Sequence, residues 1–416
     1  MTDELTSAQR EYAGLVIREG VNLTPGQKLL IRCPLERADF ARLCAEAAYD
    51  AGAEEVLFLW EDDALIRMKY LRAADAVFDR AAPWETGMLN DLSAEGACQL
   101  AIVGEDPDRM QGVDPGRIRR ARAVRGRALE PFRERQTRNE IQWCVCAAPT
   151  CSWAQKVFPA LTGDRAVERL WEEILRACRV RAQGSVEAWR AHSAALQRHV
   201  ETLNALRLRS LHYSNALGTE LTVDLPEDHY WAGGAERCIR NGIYFSANLP
   251  TEEVFTLPRR DGVAGVVYAS KPLVLDGTVI EGLRFVLREG RITEVSARTG
   301  EKVLRDATAT DAGASYLGEV ALVPWDSPIS QSGVLFYETL FDENAACHFA
   351  FGDAYPCIRG AESMDREQLL ARGVNSSMIH VDFMVGTPDL SILGTTEDGK
   401  QVPIFTAGTW HDLPKA

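Results

Sequence analysis

The segment PGQKLLIRCPLERADFARLCAEAAYDAGAEEVLFLW, residues 25–60, decides the class of the first part of the chain. Pro25-Gly26 indicates a turn, and the apolar run from Lys28 to Arg32 is typical of a buried strand. An alanine-rich helix is predicted over about 37–51, and a second strand over Glu55 to Trp60. Strand, helix and strand in this order are the repeating unit of an α/β domain with a mostly parallel sheet.

The same alternation extends to about residue 150. An amphipathic helix is predicted over about 8–19, and two further strands over Gln99 to Gly104 and Ile141 to Ala147. No glycine-rich phosphate loop follows Gly104, so the pattern predicts no nucleotide cofactor. Residues 151–208 are predicted to be mainly helical, and their arginines and glutamates at helical spacing indicate solvated surface and inter-domain packing.

From Arg209 onward the pattern changes to short strands. Asp276-Gly277 and Glu289-Gly290 are typical hairpin turns between some of these strands. A chain of 416 residues exceeds the size at which one hydrophobic core usually keeps growing. We therefore expect an N-terminal α/β domain with a mostly parallel sheet over 1–208, and a β-rich α+β domain over 209–416.

Composition limits the classes of partner. The formal net charge of −14 argues against a nucleic acid or an anionic membrane, because either would be repelled over most of the surface. No stretch approaches the ~18 apolar residues that a membrane span needs. The first ten residues lack the apolar core of a secretory signal, so a cytoplasmic location is expected.

The ten cysteines, with no Cys-x-x-Cys pair, predict buried reduced thiols rather than a thiolate zinc site.

Two of the seven histidines have ligand-type neighbours. In a strand His380 and Asp382 would point to the same face, so one metal could be bound by both or two metals by one each. His348 follows Glu343 by five residues, although an acid in the first turn of a helix is also favoured by the helix dipole alone. Tyr355, seven residues after His348, is expected two turns along the same face of a helix.

Two further carboxylates sit in apolar surroundings. One glutamate of the pair Glu252 and Glu253 should point inward beside Val254 and Phe255, and Glu319 lies in a hydrophobic strand that tolerates no unpaired charge. For each carboxylate alone, a buried salt bridge is the alternative. Together, four carboxylates and two histidines suit a pair of divalent ions such as zinc, cobalt or manganese.

Five motifs in the same order resemble the thermophilic metallo-aminopeptidases, the group of aminopeptidase T, aminopeptidase II and PepS. They are NLPTEEVFT (248–256), LGEVALVP (317–324), SPISQSG (327–333), LFDENAACH (340–348) and HVDFMVG (380–386). The opening EGVNLTPGQ, residues 19–27, is also similar to that family. The resemblance covers most of the chain and is strongest from about 245 to 390.

The resemblance implies that 209–416 is the metal-binding catalytic domain. It implies metal ligation by Glu253, Glu319, Glu343, His348, His380 and Asp382. Glu319 is expected to bridge the two ions, and Tyr355 to stand at the metal centre. Glu252 is a candidate general base by adjacency only. A homodimer is also implied.

The expected reaction is hydrolysis of the N-terminal peptide bond of peptides. Two cations would share a water, lower its pKa and present it to the scissile carbonyl, while one of them takes the neutral α-amine of the substrate. Tyr355 would donate a hydrogen bond to the developing oxyanion. Two alternatives stay open: a dinuclear metal-dependent hydrolase of a non-peptide amide, and a non-catalytic binding protein stabilised by metal.

Overall fold

The computed structural model describes residues 3–275 and 277–412. The chain divides into two compact units. The first consists of Met1–Ser193 and Ala235–Pro250, and the second of Ala194–Gly234 and Thr251–Ala416. The predicted division into functional domains of 1–208 and 209–416 stays a prediction. Asp276, in the first predicted hairpin turn, lies outside the described residues.

The first unit contains a four-stranded sheet in which every pair is parallel, as predicted. Its order is β2-β1-β3-β4, with β1 (Lys28–Pro34), β2 (Glu55–Glu61), β3 (Cys98–Val103) and β4 (Trp143–Ala147). Consecutive residues of β1, Leu29, Leu30 and Ile31, are all buried. Consecutive residues of a strand can all be buried in this way because a parallel sheet is covered on both faces.

Helices precede and connect these strands. The rings of Tyr12, Phe40 and Trp171 pack together, with centroids 5.2 Å apart for the first pair and 5.3 Å for the last. The helices are α1 (Asp3–Leu15), α2 (Ala38–Asp50), α3 (Asp63–Arg72), α4 (Pro83–Glu95), α5 (Pro115–Ala128), α6 (Glu130–Thr137), α7 (Cys151–Val157), α8 (Asp164–Ala177) and α9 (Ser185–Leu206).

The second unit contains an eight-stranded antiparallel sheet of order β15-β14-β11-β6-β5-β19-β20-β21 and a five-stranded antiparallel sheet of order β18-β17-β16-β10-β7. Two short hairpins, β8–β9 in the first unit and β12–β13 in the second, complete the strands. Their bounds are β5 (Leu208–Ser214), β6 (Glu220–Asp224), β7 (Ala232–Gly233), β8 (Glu236–Arg237), β9 (Tyr244–Phe245), β10 (Val254–Thr256), β11 (Val263–Tyr268), β12 (Leu273–Leu275), β13 (Thr278–Ile280), β14 (Arg284–Arg288), β15 (Arg291–Ser296), β16 (Leu317–Leu322), β17 (His348–Gly352), β18 (His380–Met384), β19 (Ser391–Thr396), β20 (Gln401–Thr406) and β21 (Thr409–Trp410).

The two sheets of the second unit share one hydrophobic core. Tyr213 of the large sheet contacts Phe349 of the small one, with ring centroids 4.9 Å apart, and Phe285 contacts Phe351 and Phe383 at 5.8 and 5.3 Å. The short helices are α10 (Glu301–Thr308), α11 (Pro328–Ser332), α12 (Thr339–Asp342) and α13 (Arg366–Ala371). One face of the small sheet therefore packs in the core, and its opposite face carries other side chains.

The helix predicted to carry His348 and Tyr355 is absent, and that prediction is wrong. α12 ends at Asp342, a single 3-10 turn covers Glu343–Ala345, and His348 is the first residue of β17. The sequence His-Phe-Ala-Phe-Gly alternates aromatic and small residues with a period of two, and its phenylalanines enter the core. Tyr355 lies in the loop beyond the strand.

All ten cysteines are free thiols, and only Cys151 among them is exposed. Within the described residues, no helix has the length and apolar content needed to cross a bilayer.

Candidate metal centre

Three neighbouring strands bring four of the predicted ligands to the face of the small sheet that is turned away from the core. Glu319 of β16 lies opposite Ala350 of β17, and Ala350 lies opposite Asp382 of β18. His348 lies opposite Ala321, two residues after Glu319, and His380 lies two residues before Asp382. Because side chains alternate along a strand, all four share one face.

Glu253 reaches the same face from the next strand. It directly precedes β10, in which Phe255 lies opposite Ala321 and Val254 is buried in the shared core. Nε2 of His348 lies 3.3 Å from Oε2 of Glu253 and 3.4 Å from Oε1 of Glu319. Glu253, rather than its neighbour Glu252, is therefore the member of the pair that meets the histidine.

A second group forms around the other oxygen of Glu319. Nε2 of His380 lies 3.5 Å from Oε2 of Glu319 and 3.1 Å from Oδ1 of Asp382. In each of the two groups, one ligand atom from every residue lies within 4.8 Å of the others. Glu319 belongs to both groups, which is the arrangement that a bridging carboxylate requires.

Backbone carbonyls orient both histidines. Nδ1 of His348 lies 3.1 Å from the carbonyl oxygen of Ala346, and Nδ1 of His380 lies 2.8 Å from that of Asp353. A carbonyl oxygen only accepts hydrogen bonds, so Nδ1 must donate in each case. In the neutral ring Nε2 then carries the lone pair and points at the carboxylates, which is how metal-binding histidines are usually held.

The carboxylates raise the pKa values of both imidazoles. Burial lowers the pKa of His348, but Glu253 and Glu319 beside its Nε2 outweigh burial and raise it well above the ordinary value. Burial is likewise outweighed at His380, where Asp382 and Glu319 raise the pKa to about 10. At Asp382, the hydrogen bond and charge of His380 overcome burial and lower the pKa.

At the two remaining acids, Glu319 and Glu343, the surroundings disfavour the ionised form. Burial, with the neighbouring Glu253 and Asp382, raises the pKa of Glu319 even though His348 opposes the shift. Burial is also the main cause at Glu343, whose pKa is raised well above its ordinary value, and the charges of Glu253 and Asp382 add to it. The protein alone therefore stabilises the ionised forms of Glu319 and Glu343 poorly.

The donors fit divalent metal ions. Oε2 of Glu253 is buried and accepts no hydrogen bond from any described residue. Four acids, Glu253, Glu319, Glu343 and Asp382, face two imidazoles, so both imidazoles together could balance only two of the four as carboxylates. Buried charge of this kind requires a cation. Mixed carboxylate and imidazole donors are typical ligands of zinc and of related divalent ions.

The other predicted site residues lie beside these groups. Glu343 shares their electrostatic environment, but it belongs to neither set of closely spaced ligand atoms. Glu252 is buried, and its backbone amide donates to Oδ1 of Asn344 at 2.7 Å. The Tyr355 ring stands edge-on to His380 and to Phe255, with centroids 6.3 Å away in both cases. Its side chain is exposed, as a residue that reaches a substrate must be.

The sequence did not single out Asn344. This fully buried side chain accepts a hydrogen bond from the backbone amide of Glu252 through Oδ1. Its Nδ2 donates to the carbonyl oxygen of Leu340 at 3.0 Å and to Oε1 of Glu343 at 3.4 Å. It thereby ties the loop before β10 to the segment that precedes β17. An amide directly before the apolar stretch Ala345-Ala346-Cys347 could have indicated such a role, because a buried amide needs partners.

Comparison with known proteins identifies the family of this chain. A sequence model of the thermophilic metalloprotease (M29) family matches residues 6–410. Aminopeptidase AmpS of Bacillus subtilis is 43% identical over 98% of this chain and 99% of its own length, and aminopeptidase T of Thermus aquaticus is 42% identical over 98% and 99%. The chain belongs to the M29 family of metalloproteases.

A solved structure shares the whole architecture. Wild-type AmpT from Thermus thermophilus superposes with a TM-score of 0.91 at 41% identity, covering 97% of this chain and 99% of the other. This likeness and the family match confirm the predicted fold class and the predicted family membership.

Metal loading of the metal-free protein is expected to release at least two protons per chain at neutral pH. Both imidazoles have raised pKa values, for His380 about 10, and a ligand histidine must be neutral. Metal affinity should therefore rise with pH. Calorimetry of zinc binding in buffers of different ionisation enthalpy measures the release, and His380→Gln should release one proton fewer. Binding without proton release would contradict the assignment of the histidines.

Proposed function

We propose that this chain is an aminopeptidase that hydrolyses the N-terminal peptide bond of peptides with two divalent ions per chain. The single observation that carries the proposal is the sharing of Glu319 between two histidine–carboxylate groups. A site for one ion would not need separate oxygens of one carboxylate to meet two different histidines. Zinc, cobalt and manganese are the ions that the donors suit.

Each ion has its own proposed ligands. Glu253 and His348 would hold one ion and His380 and Asp382 the other, with Glu319 between them; Glu343 is a further proposed ligand. When bound, such ions polarise a carbonyl oxygen and lower the pKa of water, which supplies a nucleophile at neutral pH. Nδ1 of each histidine stays hydrogen-bonded to the backbone, so the rings remain aligned.

The reaction adds water to the scissile carbonyl carbon and breaks the carbon–nitrogen bond. Glu252 is proposed to take the proton of the attacking water and to return it to the leaving amine. Tyr355, whose side chain is exposed beside His380, is proposed to donate a hydrogen bond from its hydroxyl to the oxyanion that develops on the substrate. One ion would take the uncharged α-amine of the substrate as a ligand, which favours a substrate with a free amino terminus.

A panel of aminoacyl-p-nitroanilides with N-acetylated counterparts tests the activity. Turnover of the free amines with loss of at least about 10²-fold on acetylation is expected, because acetylation removes the amine that the site is proposed to bind. Equal turnover of the acetylated compounds would favour a different amide hydrolase. No turnover of any member by metal-loaded protein would favour a binding protein stabilised by metal.

Tyr355→Phe should separate catalysis from metal binding. Loss of an oxyanion donor should lower kcat and kcat/KM together by about 10²-fold or more, since the interaction exists only in the transition state. Metal content should stay at the wild-type level. Tyr244→Phe, at another exposed tyrosine, is the matched control and should leave both constants unchanged. A kcat of Tyr355→Phe within twofold of wild type would exclude the hydroxyl from the chemistry.

We also propose a homodimer in a cytoplasmic setting. The ten free cysteines support the location, because thiols persist in reducing compartments. Light scattering of the purified protein measures the subunit number directly.

A further inference from the structure

A small pocket of about 130 Å³ lies beside the metal centre in the second unit. It is lined by Lys271, Pro272, Gly333, Val334, Leu335, Asp342 and Met384. Met384 lies directly opposite His348 in the register of β17 and β18, on the same face of the small sheet as Asp382. Side chains opposite each other in an antiparallel pair have Cβ atoms roughly 5 Å apart. The pocket therefore begins one residue away from the proposed ligands.

Hydrogen bonds hold the walls in place. Asp342 accepts the backbone amides of Phe336 at 2.8 Å and Glu338 at 3.1 Å, which fixes the loop that carries Val334 and Leu335. On the other side, the amide of Ser270 donates to the carbonyl oxygen of Met384 at 2.8 Å and positions the following Lys271 and Pro272 against β18. The pocket is thus formed by fixed backbone.

The lining determines which side chain the pocket can hold. Pro272, Val334, Leu335 and Met384 present apolar surface, so a hydrocarbon group gains free energy on entering. Lys271 and Asp342 bring one basic and one acidic group to the lining, which gives neither an acidic nor a basic side chain a clear advantage. A dry cavity of about 150 Å³ is known to hold benzene. A pocket of about 130 Å³ accordingly fits an aliphatic side chain better than an aromatic one.

We infer that this pocket receives the side chain of the substrate's N-terminal residue and selects uncharged aliphatic side chains up to the size of leucine. The inference rests on the proposed aminopeptidase function. Met384 is its principal specificity-determining residue, because it lines the pocket and lies opposite His348 in the strand register. Val334, which is only half-buried, limits the pocket on the loop side.

Substitutions that change the pocket volume in opposite directions test the inference. Kinetics on alanyl, leucyl and phenylalanyl p-nitroanilides should show the leucyl compound preferred by the wild type. Met384→Ala enlarges the pocket and should raise the phenylalanyl-to-leucyl ratio of kcat/KM by about tenfold or more, the scale on which apolar pockets discriminate. Val334→Phe fills it and should lower leucyl turnover about tenfold while alanyl turnover stays within twofold.

Met68→Ala, at an exposed methionine of α3, is the matched control and should change no ratio. Val334→Phe alters a half-buried loop residue, so it keeps the test decisive should Met384→Ala fail to fold. Unchanged ratios in folded variants with wild-type metal content would overturn the pocket assignment alone. A wild-type protein that turns over no member of the panel would overturn the proposed function, and the pocket assignment with it.

Discussion

Glu319→Gln is expected to lower kcat/KM by about 10³-fold or more and to reduce the bound metal below two ions per chain. Glu319 places one oxygen 3.4 Å from Nε2 of His348 and the other 3.5 Å from Nε2 of His380. A neutral amide brings no negative charge and offers only one good ligand atom, so it cannot serve two cations. Losing several kcal/mol of metal assistance corresponds to about this factor in rate.

Metal analysis together with steady-state kinetics checks the prediction. Glu294→Gln is the matched control, because Glu294 is exposed and pairs with Arg284 on the surface, and surface pairs contribute little. The control should keep wild-type metal and activity. Two ions per chain in Glu319→Gln would show that Glu319 does not bridge.

Exhaustive chelation is expected to abolish activity and leave the fold intact. Five of the six proposed ligands lie on β16, β17 and β18 or directly before β10, and the other faces of these strands pack in a core that needs no metal. An ion present at a hundredfold above its Kd contributes about 2.7 kcal/mol to stability. Removal of two such ions should therefore lower the melting temperature by about 10–20 °C, with the native circular dichroism spectrum retained at low temperature.

Adding zinc, cobalt or manganese to the chelated protein should restore both activity and melting temperature. Magnesium, which prefers oxygen ligands and retains its water, serves as the control and should restore neither. Loss of the native spectrum on chelation would mean that the metal is required for the fold itself.

Buried charge made part of the site predictable. Glu319 stands in a run of buried apolar residues, where an unpaired carboxylate would be too costly, and the structure places it among histidines. The spacing of His380 and Asp382 also predicted a shared face, since side chains alternate along a strand. Both inferences depend only on local sequence.

What local sequence could not show is the order of the strands. β10, β16, β17 and β18 are neighbours in the small sheet, although sixty residues separate β10 from β16. Such pairing is decided by packing over the whole unit. The pocket at Met384 is hidden for the same reason, because Lys271, Val334 and Met384 come from three distant segments.

The conformation around His348 was predicted wrongly for a local reason. A short apolar run gives no clear period, and the acidic residues Asp342 and Glu343 resemble the start of a helix. The aromatic alternation after His348 favours a strand, and packing of Phe349 and Phe351 in the core confirms it. Tyr355 nevertheless reaches His380, because the loop after β17 returns it to the same face.

The number of metal ions per chain in fully active protein tests the two-ion site most directly. Chelated protein is titrated with zinc while turnover of leucyl p-nitroanilide and bound metal are measured on the same samples. A site in which Glu319 joins two histidine groups predicts that activity reaches its maximum at two bound ions per chain. Full activity at one ion, or with metal confirmed absent, would contradict it.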